Sequence, residues 1–219
     1  PDPLVLAKSV PAPATTRAVT RRGIGSALPI VRRNPAALTG IVTVACAHAF
    51  MVGVMAMTPV HMQDHGTSLR IVGLTISLHI AGMFALSPVM GVLADRWGRV
   101  RTAVLGQAIL FTAAVVAGTA GGSDTRITVG LVLLGLGWSA SLIAGSAMVA
   151  DAVSVADRPG VQGFSDLAMN LSGAAGGVVA GLVVSGAGFG WLNALAVLLV
   201  VPVLWRVARA TRPVATASS

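Results

Sequence analysis

Four sets of residues in this chain carry side chains able to do chemistry. His79 and His48 lie inside apolar stretches, where an imidazole can take up or release a proton near neutral pH. Asp95, Arg96, Arg99 and Arg101 fall in one short segment, a carboxylate among guanidinium groups at ion-pairing spacing. Asp166 and Asn170 stand four apart, so a helix puts both on one face. Cys46, His48, Met51, Met55, Met57, His61 and Met62 are soft or borderline ligands of the kind that hold Cu(I) or Zn. Met51 and Met55 share a helical face, however, while Cys46 and Met57 point elsewhere, and methionine is ordinary filling in apolar helices. No metal site is expected from them. Gly145-Ser146-Ala147 lacks the Gly-x-Ser-Gly turn of an intramembrane serine protease, and every histidine precedes it. No glycine-rich phosphate cradle leads into a basic residue. Neither an enzyme nor a cofactor is expected.

The elements that must position these residues are set by composition. Of 219 residues, 55% are hydrophobic and 10% charged, and mean hydropathy is +0.85. The apolar residues fall in six blocks, roughly 36–60, 70–94, 101–120, 127–150, 161–185 and 188–206. About 18 or more such residues cross roughly 30 Å of hydrocarbon as a helix. Short links of turn-forming residues separate the blocks, as at His65-Gly66-Thr67-Ser68 and Gly121-Gly122-Ser123-Asp124. Pro159 sits where a helix tolerates proline, at its first turn. The expected fold is an all-α membrane bundle, residues 36–206, with the lipid bilayer as its first partner. Residues 1–35 read as a basic linker containing prolines, with a short amphipathic helix near 24–33 lying on the membrane surface. Residues 207–219 read as a polar tail. Pro1 is not an initiator residue, so the start is expected to be cut, processed or internal to a longer reading frame.

The formal net charge of +8 does not point to nucleic acid. The basic residues lie between apolar blocks, with none of the aromatic interleaving that base stacking uses. Their distribution gives orientation instead. With six spans both termini share a side, and that side carries 13 basic residues against Arg70 and Arg126 on the other. Positive charge favours the cytoplasm. Both termini, and the loop at residues 95–101, are expected to be cytoplasmic in a multi-pass protein of the cell membrane. The second block then runs inward, so Asp95 ends a helix whose dipole disfavours an anion there and needs cations nearby.

That loop reads Gly91-Val92-Leu93-Ala94-Asp95-Arg96-Trp97-Gly98-Arg99-Val100-Arg101. It resembles the signature G-x-L-A-D-R-x-G-R-[KR]-x of the major facilitator superfamily, which follows the second helix of each six-helix half. Val100 departs from it where a second basic residue is usual. The resemblance implies a six-transmembrane-helix half of the major facilitator fold, made of two inverted three-helix repeats. It implies that Gly91 and Gly98 permit close backbone approach, and that Asp95 locks the cytoplasmic side against the opposite half. It also implies a cavity lined by the first, second, fourth and fifth spans. The long basic lead resembles the linker between halves, which makes this the C-terminal half and the N-terminal six-helix half its partner.

Function follows as expectation. The chain is read as one of two rocking halves of a secondary transporter that moves a small solute by alternating access, driven by protons. Few charges in the lining spans favour an amphipathic or hydrophobic solute and hence efflux of drug-like compounds. Two other readings stay open: a stand-alone six-helix chain acting as a homodimer, and a non-transporting remnant that binds a partner. His79 and His48 are candidate cavity residues, and a neutral His79 bonded to a neighbouring helix is weighed beside a proton role for it. Asp166 and Asn170 are candidates for the gate or the cavity. Gly173, Gly177 and Gly181 form a small-residue stripe expected to pack against a helix.

Overall fold

A computed structural model describes residues 24–210; the lead before Ile24 and the end of the tail, with Arg212, lie outside the described residues. The described chain is helical throughout: α1 (Ile24–Arg33), α2 (Pro35–Asp64), α3 (Leu69–Phe84), α4 (Ser87–Arg96), α5 (Arg99–Gly118), α6 (Asp124–Ala152), α7 (Arg158–Ala187), α8 (Phe189–Ala196), a 3-10 turn at Val197–Leu199, and α9 (Val200–Ala210). Six segments are long and apolar enough to span a membrane: Pro35–Asp64, Leu69–Arg96, Arg99–Gly118, Asp124–Ala152, Arg158–Ala187 and Phe189–Arg209. Two of them are broken, which hydropathy does not register. In the second span Pro88 has no N–H for the Phe84 carbonyl four residues back. The Ser87 hydroxyl donates to that carbonyl at 2.8 Å instead, and α3 ends as α4 begins. Pro202 likewise follows the 3-10 turn in the sixth span.

Contacts define two ends of the bundle. At one, Asn34 accepts from the Ala36 and Ala37 amides at 3.1 Å, capping α2, while its own amide donates to the Ala152 carbonyl. One side chain thus serves the start of α2 and the end of α6. Arg206 donates to the Pro35 carbonyl at the same end, at 3.5 Å. At the other end, His61 Nε2 donates to the Gly121 carbonyl at 3.1 Å and its ring stacks on Phe189, centroids 4.4 Å apart. The amphipathic segment α1 does not lie free: Ala27 and Val31 are buried with Ile41, Val149, Val153 and Val161.

The central pair is α2 and α6. A Cβ on Gly40 would lie 2.5 Å from the Gly145 carbonyl oxygen, and one on Gly145 2.9 Å from that of Gly40. Only glycine allows this reciprocal approach. α3 packs on α6 as α7 packs on α2, and α5 and α8 close the back of the pair. This exchange of roles between the first three spans and the last three is what two inverted repeats produce. The principal core gathers Phe50, Val54, Leu110, Leu134, Trp138 and Leu192. α7 packs by only part of the stripe expected of it. Its glycine contacts with α2 are Gly173 against His48, Gly176 against the Ala49 carbonyl and, more loosely, Gly177 against Val52 at 3.7 Å, while no described residue lies within 4 Å of a Cβ built on Gly181. The cause is helical drift: a strict four-residue stripe rotates away from a partner that 3.6-residue periodicity keeps in view.

Candidate functional site

At the Asn34 end, Arg99 is the hub. Gly98, with φ +105°, turns the chain from α4 into α5 in a conformation that suits glycine, and Arg99 starts the new helix. Its Nη1 donates to Asp95 Oδ1 at 2.9 Å and to the Ala94 carbonyl at 3.4 Å. Its Nε donates to Asp151 Oδ2. One planar guanidinium therefore joins the last turn of α4, the first turn of α5 and the last turn of α6, a task its fork of donors suits. Asp95 and Asp151 both stand at helix C-termini, where a cation offsets the unfavourable dipole. A cavity of about 570 Å³ opens beside the cluster, lined in part by Ala36, Thr39, Trp97, Arg101 and Met148. Arg96 and Arg101 are exposed. Beyond their own chain neighbours and helix backbone, no described atom lies within 4 Å of a Cβ built on Gly91 or Gly98, so no described residue uses their smallness for close packing.

Midway along the bundle are two histidine contacts. His48 on α2 accepts from the Trp138 indole N–H of α6 at 3.1 Å. Phe84, at the break in the second span, meets Trp138 edge-on with centroids 6.0 Å apart. His48, Trp138 and Phe84 therefore bring the first, fourth and second spans together. His79 is 1% exposed, and its Nδ1 lies 2.7 Å from the Leu131 carbonyl oxygen. This is the arrangement of a histidine bonded to a neighbouring helix. Trp138 and Phe84 are the site residues that sequence reasoning missed. The signal in the sequence was partial: a tryptophan in the middle of a membrane span needs an acceptor for its N–H, but which acceptor it meets depends on how α2 crosses α6.

Asp166 and Asn170 are both exposed on α7. Their link is the Asn170 side-chain amide donating to the Asp166 backbone carbonyl at 2.7 Å. The Asp166 carboxylate makes no ion pair among the described residues; the acid from outside the loop that meets Arg99 is Asp151.

Residues 6–219 match the family model of the Major Facilitator Superfamily. The chain belongs to that superfamily. It is 38% identical over 210 residues to YdeG of Bacillus subtilis, an MFS-type transporter, covering 94% of this chain and 48% of that protein. It is 32% identical over 187 residues to the riboflavin transporter RfnT of Brucella anthropi, covering 83% of this chain and 46% of RfnT. The solved D-xylose–proton symporter superposes with a TM-score of 0.63 at 13% identity, over 82% of this chain and 47% of the symporter. The chain spans about half the length of the curated relatives it matches. A major facilitator chain is a multi-pass membrane protein of a transporter family, not an enzyme, and the six-span bundle has the architecture of half that fold.

Proposed function

We propose that this chain forms one of two rocking halves of a proton-coupled secondary transporter in the cell membrane, working by alternating access, with an N-terminal six-helix half as its partner. The surface of α7 carries this reading. Asp166, Asn170 and Ala174 are exposed along one stripe that continues through Gly177 and Gly181, while Leu167, Leu171, Val178 and Leu182 occupy the neighbouring one. The second stripe suits lipid. The first does not, because a carboxylate and an amide within a membrane span need water or protein. The second and fifth spans are also the least covered, with 17% and 11% of their most apolar windows buried. On α3, Gly73, Ser77 and Ala81 are exposed in line, leaving room for a second helical body to approach.

The excess of arginines at the Asn34 end supports a cytoplasmic setting for that end and for both termini. Asp95, Arg99 and Asp151 then form a cytoplasmic lock among α4, α5 and α6, beside which Gly91 and Gly98 leave space for a helix of the other half. His79, His48, Asp166 and Asn170 face or flank the pathway. Trp138 and Phe84 suit a small amphipathic solute with an aromatic ring, a class to which the substrate named for RfnT belongs, and export is the favoured direction. An immunoblot of source membranes with an antibody to the tail tests the architecture. A band near twice the 22.0 kDa of this chain supports the two-half transporter. A band at 22.0 kDa removes the covalent partner and points to paired copies. Solute-dependent proton movement in vesicles, or its absence, then decides the activity.

A further inference from the structure

Three polar contacts run in line along the seam between α3 and α6. At the His61 end, Thr67 donates to Asp124 Oδ1 at 2.5 Å. Thr75 and Thr128 share a hydroxyl–hydroxyl bond of 2.7 Å in which either can be the donor. His79 Nδ1 meets the Leu131 carbonyl at 2.7 Å. On α6 these contacts fall at Asp124, Thr128 and Leu131, one helical face spanning about 10 Å of axis. Thr75 and Thr128 differ from other threonines of the bundle. Thr39, Thr43, Thr58, Thr102, Thr112 and Thr119 each bond the carbonyl four residues back on their own chain, the usual use of a hydroxyl in an apolar helix. Thr75 and Thr128 bond across the seam instead.

The state of His79 follows from its partner. A carbonyl only accepts, so Nδ1 carries the proton and Nε2 carries a lone pair. That Nε2 is buried with no hydrogen-bond partner among the described residues. The seam therefore leads from a carboxylate at one end of the bundle, past a reversible hydroxyl pair, to a buried nitrogen able to take a proton. It is too tight for a larger guest, since a Cβ on Gly135 would lie 2.5 Å from the His79 carbonyl oxygen.

We propose that the α3–α6 seam is a proton-entry route from Asp124 to His79. The assignment rests on the proton-coupled reading above for what the proton is used for. A proton leaves the Asp124 carboxyl group, which returns to carboxylate. It passes the Thr128 and Thr75 hydroxyls, with water bridging the remaining gaps, and ends on His79 Nε2, which becomes imidazolium. Both ring nitrogens are then donors, and the new N–H has no acceptor in the closed seam, so charging His79 favours separation of α3 from α6. At the Asp124 end the other titratable group is His65, whose Nδ1 donates to the His61 carbonyl at 2.8 Å and whose ring lies against Gly122. The remaining charges of α6 are Arg126 and Asp151, in its first and last turns, and α3 adds Arg70 in its first turn. Asp95 and Arg96 end the second span. On α2, His48 is engaged by Trp138 and His61 by Gly121, and Cys46 and Asp64 make no hydrogen bond to His79, whose bonded partner is the Leu131 carbonyl.

The test is nitrogen-15 histidine NMR of the 219-residue chain in lipid nanodiscs between pH 5 and 8, the four histidines being assigned by single substitution to Gln. The expected wild-type result is an Nδ1–H tautomer of His79 that takes a second proton on Nε2 and exchanges with solvent. T75V and T128V are expected to slow that exchange by roughly 10²-fold, the usual contribution of a positioned proton relay, with T75S and T128S restoring it. D124N keeps an acceptor for Thr67 and is expected to slow exchange as well, which covers the case of a valine variant that does not insert. Wild-type exchange in both the valine and Asn variants overturns the route, as does a His79 that never takes up the second proton. Faster exchange together with a lower melting temperature in T75V and T128V also overturns it, since that is the mark of hydroxyls serving only as interhelical bonds. The readout needs neither solute nor partner half. A chain that transports nothing yet passes this test loses the transporter reading and keeps the proton route.

Discussion

Arg99 is the residue on which most of the candidate lock depends, and its energetic and functional weights differ. Its side chain is 30% exposed, and those of Asp95 and Asp151 are 73% and 55% exposed. Exposed ion pairs contribute roughly 0.2–1 kcal/mol each, so R99A is expected to melt close to the wild type in detergent. Its effect belongs to the transport cycle. If the cluster stabilises one of two states, removing it changes their ratio by a factor on the order of 5 to 150, and solute flux in vesicles falls accordingly. R99K recovers little, because an ammonium cannot present the planar fork that reaches two carboxylates together. Flux in R99A equal to that of the wild type would remove the lock. Sequence alone identified the loop and offered Asp166 as a gate residue, without saying which acid from outside the loop meets it. Asp151 meets Arg99 because α6 ends beside the start of α5, and no spacing in the chain encodes which acid a fold brings there.

At the scale of elements, the glycines separate packing from space left open. Gly40 meets the Gly145 carbonyl and Gly181 meets no described residue within 4 Å, although both lie within apolar spans. G40A must push α2 away from α6 and is expected to cost about 1–3 kcal/mol, seen as early melting or a smaller folded fraction in detergent. G181A in the isolated chain is expected to stay within about 0.5 kcal/mol of the wild type. Equal effects of the two would contradict the packing described. The existence of six spans was legible because hydropathy reports each helix without its neighbours. The break after Phe84 was encoded by Pro88 yet invisible to a hydropathy window. The His79–Leu131 and Trp138–His48 bonds were not legible, for different reasons. A backbone carbonyl leaves no mark on sequence, and the indole of Trp138 could have been matched to His48 only once the crossing of α2 and α6 was known.

For the whole molecule, the question is what covers the two flanking spans. Lipid alone would require their exposed faces to be uniformly apolar, and the split on α7 argues otherwise. The Asp166 stripe and the Leu171 stripe lie side by side on one helix, so a probe that distinguishes water from hydrocarbon can separate them. Cys46 is the single cysteine, and C46S gives a background for A174C on the first stripe and L182C on the second. A charged, membrane-impermeant thiol reagent reacts with a thiolate in water and hardly at all with a thiol in lipid. In membranes holding the longest native product, A174C is expected to be labelled, at a rate that changes when a proton gradient is imposed, and L182C to stay unlabelled. The gradient dependence is the informative part, because a static aqueous crevice would label A174C at a constant rate while two rocking halves expose it in only part of their cycle. Equal labelling of the two positions would mean that α7 does not divide water from lipid, and the proposed pathway would have no wall.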